Sequence, residues 1–158
     1  MKRYFTLVEL LAVIGIIAVL AAITVGGLSF ATSRSDEAKT IALMEEFEIA
    51  LEKYKEDYGV YPIQKEATGT TDLEKKYKVD FSDSKWANFT NKNGNNKLGR
   101  PYMEGIGNIT TFEDGFGNAF QYEYPNSDDS RNTTKYALWS LGKKKSDSSD
   151  DICSWKQK

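Results

Sequence analysis

Histidine is absent from the 158 residues, and cysteine occurs once, at Cys153. Without an imidazole there is no Ser-His-Asp or Cys-His nucleophile, no histidine general base and no His-ligated zinc or haem. A single cysteine excludes an internal disulfide and a Cys-rich metal cluster, and Cys153 reads as a small, partly buried hydrophobe. Lysine and arginine number 21 against 23 acidic residues, for a net charge of -2. No basic stripe with interleaved aromatics appears, which argues against a nucleic-acid partner. A further absence is local: between Glu9 and Arg34 there is no charged residue at all. The overall composition, 40% hydrophobic and 28% charged, is that of an average soluble domain. Its distribution is not, because an apolar rod precedes a polar body.

Lys2 and Arg3 form a short basic leader, and residues 5–31 form an apolar run broken only by Glu9, Thr6, Thr24 and Ser29. As a helix this run would be about 40 Å long, more than the ~30 Å bilayer core. The basic leader, set against Arg34, Asp36 and Glu37 beyond the run, orients the amino terminus toward the cytoplasm and the polar body outside. Three readings compete. A secretory signal peptide would use Ser29-Phe30-Ala31 as a small-x-small cleavage site, but the run is too long and contains a carboxylate. An uncleaved single-span anchor accounts for the length and leaves Glu9 unexplained, since a carboxylate at the centre of a membrane helix costs roughly 2.5–3.5 kcal/mol. The third reading gives Glu9 a task.

The order Phe5-Thr6-Leu7-Val8-Glu9, followed by about sixteen mostly apolar residues, resembles the amino-terminal signature of type IV pilins and type II secretion pseudopilins. The resemblance implies that a prepilin peptidase cuts between Tyr4 and Phe5 and methylates the new Phe5 amine. The family most often has glycine where Tyr4 stands here. It further implies that Glu9 of one subunit neutralises the Phe5 amine of a neighbour in a staggered helical bundle, since both charges are costly in hydrocarbon unless paired. Ala12, Gly15, Ala18, Ala22 and Gly26, spaced three or four apart, give a smooth strip for close helix approach. Gly26-Gly27 is a weak point in the helix.

Beyond Asp36, the spacing of Leu43, Phe47, Ala50, Leu51, Tyr54 and Tyr58 predicts an amphipathic continuation. Gly59 ends it and Pro62 prevents its resumption. The expected organisation is a leader at 1–4, a membrane or filament-core helix at 5–33, its amphipathic continuation at 34–59 and a globular region at 60–158. The expected fold class is α+β, with one long helix packed on a small antiparallel sheet of about three strands. Residues 120–124 and 136–141 alternate as strands, and a third strand is expected near 109–112. In the first of these Phe120, Tyr122 and Tyr124 share the core face, with Gln121 and Glu123 opposite. Residues 73–81 read as a short helix or strand. Trp86 and Phe89 are expected to cover the spine helix, and the aromatic stripe reads as core.

Residues Asp114-Gly115-Phe116-Gly117-Asn118-Ala119-Phe120 resemble the Asp-Pro-Trp-Gly-Asn-Pro-Tyr motif of the major pseudopilin. Residues 136–142 resemble its Tyr-x-x-x-Ser-Leu-Gly motif, and residues 150–155 its terminal Asp-Asp-Ile-x-x-Trp. In that family the loop before the terminal Trp binds calcium. Here Asp147, Asp150 and Asp151, with the Leu141 carbonyl, would supply the oxygens, while Lys144 stands where the family has an acid. Three outcomes stay open: a site replaced by Lys144 salt bridges to Asp150 or Asp151, a remodelled calcium site using Asp147, or a solvated loop. No other cofactor is expected.

The resemblance thus implies a non-enzymatic subunit of a bacterial inner membrane, single-pass, with its carboxy-terminal domain in the periplasm. Its implied partners are further copies in a helical filament, the prepilin peptidase, membrane lipid, minor pseudopilins and an inner-membrane secretion platform. The alternatives are a type IV pilin or minor pseudopilin with an adhesion or DNA-uptake role, and a membrane-anchored binding module that never polymerises.

Overall fold

A computed structural model of the chain describes residues 6–64, 77–125 and 136–155. Helix α1 spans Leu7–Tyr58, 52 residues, and passes through Gly26 and Gly27 without a break. Helix propensity alone would not carry so polar a second half, and its like-charged neighbours Glu48, Glu52 and Glu56 work against it. Packing carries it. Gly59 stops it at a positive φ of 78°, and the Gly59 amide donates to the Lys55 carbonyl at 2.7 Å. The last turn is closed from outside: the Lys97 amide donates to the Tyr58 hydroxyl at 3.1 Å, and the Lys97 ammonium donates to the Asp57 carbonyl. A cation on those orphan carbonyls is favoured by their partial negative charge.

The chain divides into two compact units, Met1–Ser35 and Asp36–Lys158. The amphipathic stretch of α1 from Asp36 on packs within the second unit. Phe47 is the reason. Its ring, fully buried, meets those of Phe112 at 5.0 Å, Phe89 at 5.4 Å, Trp86 at 5.9 Å and Phe81 at 6.2 Å. Leu51, Met44, Ala50 and Tyr54 extend the same buried stripe. Trp86 and Phe89 cover the spine helix as expected. They are presented by a 3-10 turn, Ser84–Trp86, that runs into the short helix α2, Ala87–Thr90. Asp83 caps that turn by accepting from the Lys85 amide at 3.1 Å, which satisfies one of its free donors.

The sheet has three antiparallel strands in the order β1 (Gln121–Glu123), β2 (Ala137–Ser140) and β3 (Ile152–Cys153). The third strand is thus the carboxy-terminal segment and not residues 109–112. Those residues make only isolated bridges, Asp80 with Thr111 and, just beyond, Glu113 with Ala119. The turn at Asp114 folds them back onto residues 119 and 120, so that the Phe120 amide donates to the Phe112 carbonyl at 2.9 Å. Residues 77–80 are extended, with Lys78 bridging Gln121; the remainder of 73–81 lies outside the described residues.

A second difference follows from the position of β3. Tyr122 and Leu138 pair on the face toward α1, and Tyr136 joins them in the main core. On the other face, Gln121 is paired with Trp139, and Trp139 packs with Tyr77 at 5.2 Å and Trp155 at 6.0 Å. Gln121 and Glu123, on the face opposite the aromatics as expected, are both buried, at 0% and 1% exposure. The carboxy-terminal segment forms a second small cluster with Tyr77, Ala137, Trp139 and Leu141, and so gives the sheet two covered faces.

Candidate functional site

The segment Leu7–Thr24 has a mean hydropathy of 2.7 and is long and apolar enough to cross a membrane. At 1.5 Å per residue, its 18 residues extend ~27 Å, close to the thickness of a bilayer core. None of its residues is buried: Leu7, Leu11, Ile16 and Ile23 are 80%, 62%, 62% and 67% exposed. Such a surface is costly in water, at roughly 25 cal/mol per Å², so it requires lipid or other helices. Thr24, polar within the span, donates its hydroxyl to the Ala21 carbonyl at 2.9 Å and the Leu20 carbonyl at 3.2 Å. Its donor is thus satisfied without water. At Gly15 a Cβ would meet nothing within 4 Å. The chain's own fold does not ask for glycine there, although glycine costs a helix interior about 1 kcal/mol.

Glu9 sits in the first turn of α1. Its carboxylate accepts from the Thr6 amide and the Thr6 hydroxyl, each at 2.9 Å, while the Glu9 amide donates back to the Thr6 hydroxyl at 3.3 Å. This is a reciprocal capping box, with Thr6 as the cap and Glu9 three residues on. It caps the helix at Leu7. The Thr6-x-x-Glu9 spacing carries this signal in the sequence. Tyr4 and Phe5 lie outside the described residues.

The carboxy-terminal loop is arranged by its own hydrogen bonds. Asp150 accepts from the main-chain amide of Lys144 at 2.8 Å, and Asp147 accepts from the Ser149 amide at 3.0 Å. The Ser149 contacts hold the Asp147 carboxyl below the usual carboxylate range. Gly142, at a φ of 62°, brings the chain so close to Asp150 that a Cβ would stand 2.4 Å from the Asp150 carbonyl oxygen. Among the described residues no group of three acidic, histidine or cysteine side chains is placed to hold a metal. Of the residues expected to supply calcium oxygens, Asp147, Asp150, Asp151 and Leu141, the second Asp150 oxygen is buried with no hydrogen-bond partner. Position 144 meets Asp150 through its amide.

The motif at 114–118 proves to be a junction. Asp114, 3% exposed, accepts from the amides of Phe116 at 2.9 Å and Asn118 at 2.8 Å and from the Ser140 hydroxyl at 2.5 Å. The Asn118 side-chain amide donates to the Gly142 carbonyl at 2.6 Å, and the Gly142 amide donates to the Ser140 hydroxyl at 3.0 Å. The Gly115 amide donates to the Thr40 hydroxyl at 2.9 Å, which itself donates to the Asp36 carbonyl at 2.8 Å. A Cβ at Gly115 would lie 2.1 Å from that Asp36 oxygen, so only glycine permits the approach. One turn thus fastens α1, the end of β2 and the carboxy-terminal loop. Sequence reading found the turn but not its partners at positions 40 and 140, since no spacing rule links residues so far apart.

No protein-family model matches this chain, and no curated protein matches it. The functional reading therefore rests on the residues and the geometry.

Proposed function

We propose that the chain is a pilin-like structural subunit, processed before Phe5 and polymerised through its amino-terminal helix, and that it most nearly serves as a major pseudopilin of type II secretion. One observation carries the reading. A fully uncovered apolar span, opened by a capped glutamate, continues as one helix into the spine of a sheet-bearing unit. A plain membrane anchor needs neither a carboxylate at its first turn nor an unbroken helix into the outer core. The glycine at position 15, which its own chain does not require, supports helix packing against a neighbour.

In this reading the amino terminus is cytoplasmic and the outer unit lies in the periplasm. Prepilin peptidase removes the leader with its two basic residues, and Glu9 pairs with the Phe5 amine of an adjacent copy, exchanging its Thr6 donors or sharing with them. No reaction is catalysed by the chain; its work is packing, driven by secretion machinery in the inner membrane.

Mass spectrometry of the chain from its native cells is expected to find N-methylated Phe5 as the first residue. An intact Met1 overturns the processing. Glu9→Leu is expected to leave membrane insertion unchanged and abolish the sedimentable filament fraction. Unchanged filaments in that variant would remove the role of Glu9, and a parent chain that never sediments would favour the simple anchor.

A further inference from the structure

After Glu9 the chain carries no charge until Arg34, one residue before the first compact unit ends at Ser35. Arg34 is exposed, and its guanidinium lies over the Phe30 ring, 5.5 Å from the centroid. Phe30 is 67% exposed, so its ring is not part of a core. The two residues are one turn apart in α1, and a helical side chain leans back over the turn before its own Cα. The charge is thus carried toward the apolar span and not away from it.

The level of this pair matches the edge of a bilayer. A hydrocarbon core of ~30 Å opened at Leu7, where the apolar span begins, takes about 20 helical residues and closes at about residue 26. Phe30 then stands ~6 Å further out, inside a headgroup layer roughly 5–8 Å deep on each side. At that depth an aromatic ring buries its apolar body, and a long basic side chain laid along it keeps its head at the polar boundary. A cation over an aromatic face is also held more strongly where water is scarce.

The anion that every phospholipid offers at this depth is its phosphate. An arginine recognises phosphate through two parallel N–H donors in the guanidinium plane, while an aromatic ring engages only the face of that plane. Arg34 has a further interaction within the chain, and the five donors of a guanidinium accommodate that and a phosphate together. We propose that Phe30 and Arg34 form a lipid-phosphate site in the leaflet nearest the outer unit, with the ring orienting the guanidinium and the headgroup phosphate as its ligand. The site fixes the depth at which α1 rests in the bilayer before any assembly. The inference rests on the membrane-spanning reading of Leu7–Thr24 and adds to it a named ligand.

The test places the full chain, with arginine labelled with carbon-13 at Cζ, in vesicles of phosphatidylethanolamine and phosphatidylglycerol. Solid-state NMR then measures how far lipid phosphorus dephases the Cζ signal. Arg34→Gln is expected to remove one component of that dephasing, the share of Arg34. Phe30→Leu, which keeps apolar bulk, is expected to weaken the same component several-fold. Both variants replace exposed side chains, and unchanged near-ultraviolet dichroism verifies that the outer unit is folded in each. Dephasing unchanged by Arg34→Gln overturns the site, and a component at full strength in Phe30→Leu overturns the role of the ring. In vesicles of a phosphate-free galactolipid with inorganic phosphate added, no dephasing at Arg34 is expected; its appearance there assigns the arginine to free phosphate and overturns the lipid site. A parent chain that does not float with the vesicles in a density gradient fails the membrane reading itself. One that floats without an Arg34 component fails this inference alone.

Discussion

Asp114 concentrates more of the outer unit's polar bonding than any residue singled out from the sequence. Its carboxylate holds two amides and the Ser140 hydroxyl in a buried setting. Replacing it with alanine strands those donors, at about 1–3 kcal/mol for each unsatisfied group, so Asp114→Ala is expected to lower Tm far more than Asp147→Ala in the exposed loop. Gly115→Ala should be as damaging for a different reason, because the added methyl collides with the Asp36 carbonyl. Thermal unfolding of the detergent-solubilised chain, followed by circular dichroism, measures both. At the amino terminus, Thr6→Ala removes the cap, at about 1 kcal/mol, and should increase amide exchange in the first turn of α1 without altering the outer unit. The Thr6 and Glu9 pairing was legible as a spacing of three. The Asp114 and Ser140 pairing was not, because the two residues meet only after the sheet has formed.

At the scale of elements, hydrophobic spacing located α1 and its end at Tyr58, since a helix buries every third or fourth residue whatever covers it. The same spacing marked Phe47 as core. Phe47→Ala is expected to cost about 3–5 kcal/mol and to release α2 and its neighbours from α1 together, seen as a loss of near-ultraviolet dichroism from Trp86. The strands were less legible. β1 alternates as expected, but its outward face is covered by the carboxy-terminal segment, and alternation cannot reveal a second cover supplied by a distant stretch of chain. β3, two residues long, carries too little periodicity to be read at all. Gly142→Ala, which clashes with Asp150, should detach β3 and expose Trp139 and Trp155 to a fluorescence quencher while the main core persists.

For the molecule as a whole, titration supplies a test on both sides of neutrality. Hydrogen bonds from Ser82 lower Asp80, and those from Lys85 lower Asp83. Groups lowered in the folded state contribute stability above the ordinary carboxylate range, about pH 4, and lose it as pH falls through their folded values. Burial raises Tyr61, Tyr102, Tyr122 and Tyr136. Groups raised on folding contribute stability below the ordinary tyrosine value, about pH 10, and lose it as pH climbs toward their folded values. Unfolding is therefore expected in strong acid and in alkali, with the tyrosinate absorbance of these four residues appearing together with alkaline unfolding rather than before it. Asp83→Asn should flatten the acid limb only.

The sequence by itself determined the division between an uncharged apolar helix and a polar body, the length of α1, the face of it that is buried, and the chemistry excluded by lacking histidine and a second cysteine. These follow from local spacing and composition, which persist in any fold. Only the tertiary structure decided which segment completes the sheet, that Gln121 and Glu123 are interior, and that Asp147 and Asp150 accept from backbone amides in their loop. Each of these depends on which distant segments meet, and contact between them is settled by packing against the Phe47 core, not by any pattern along the chain.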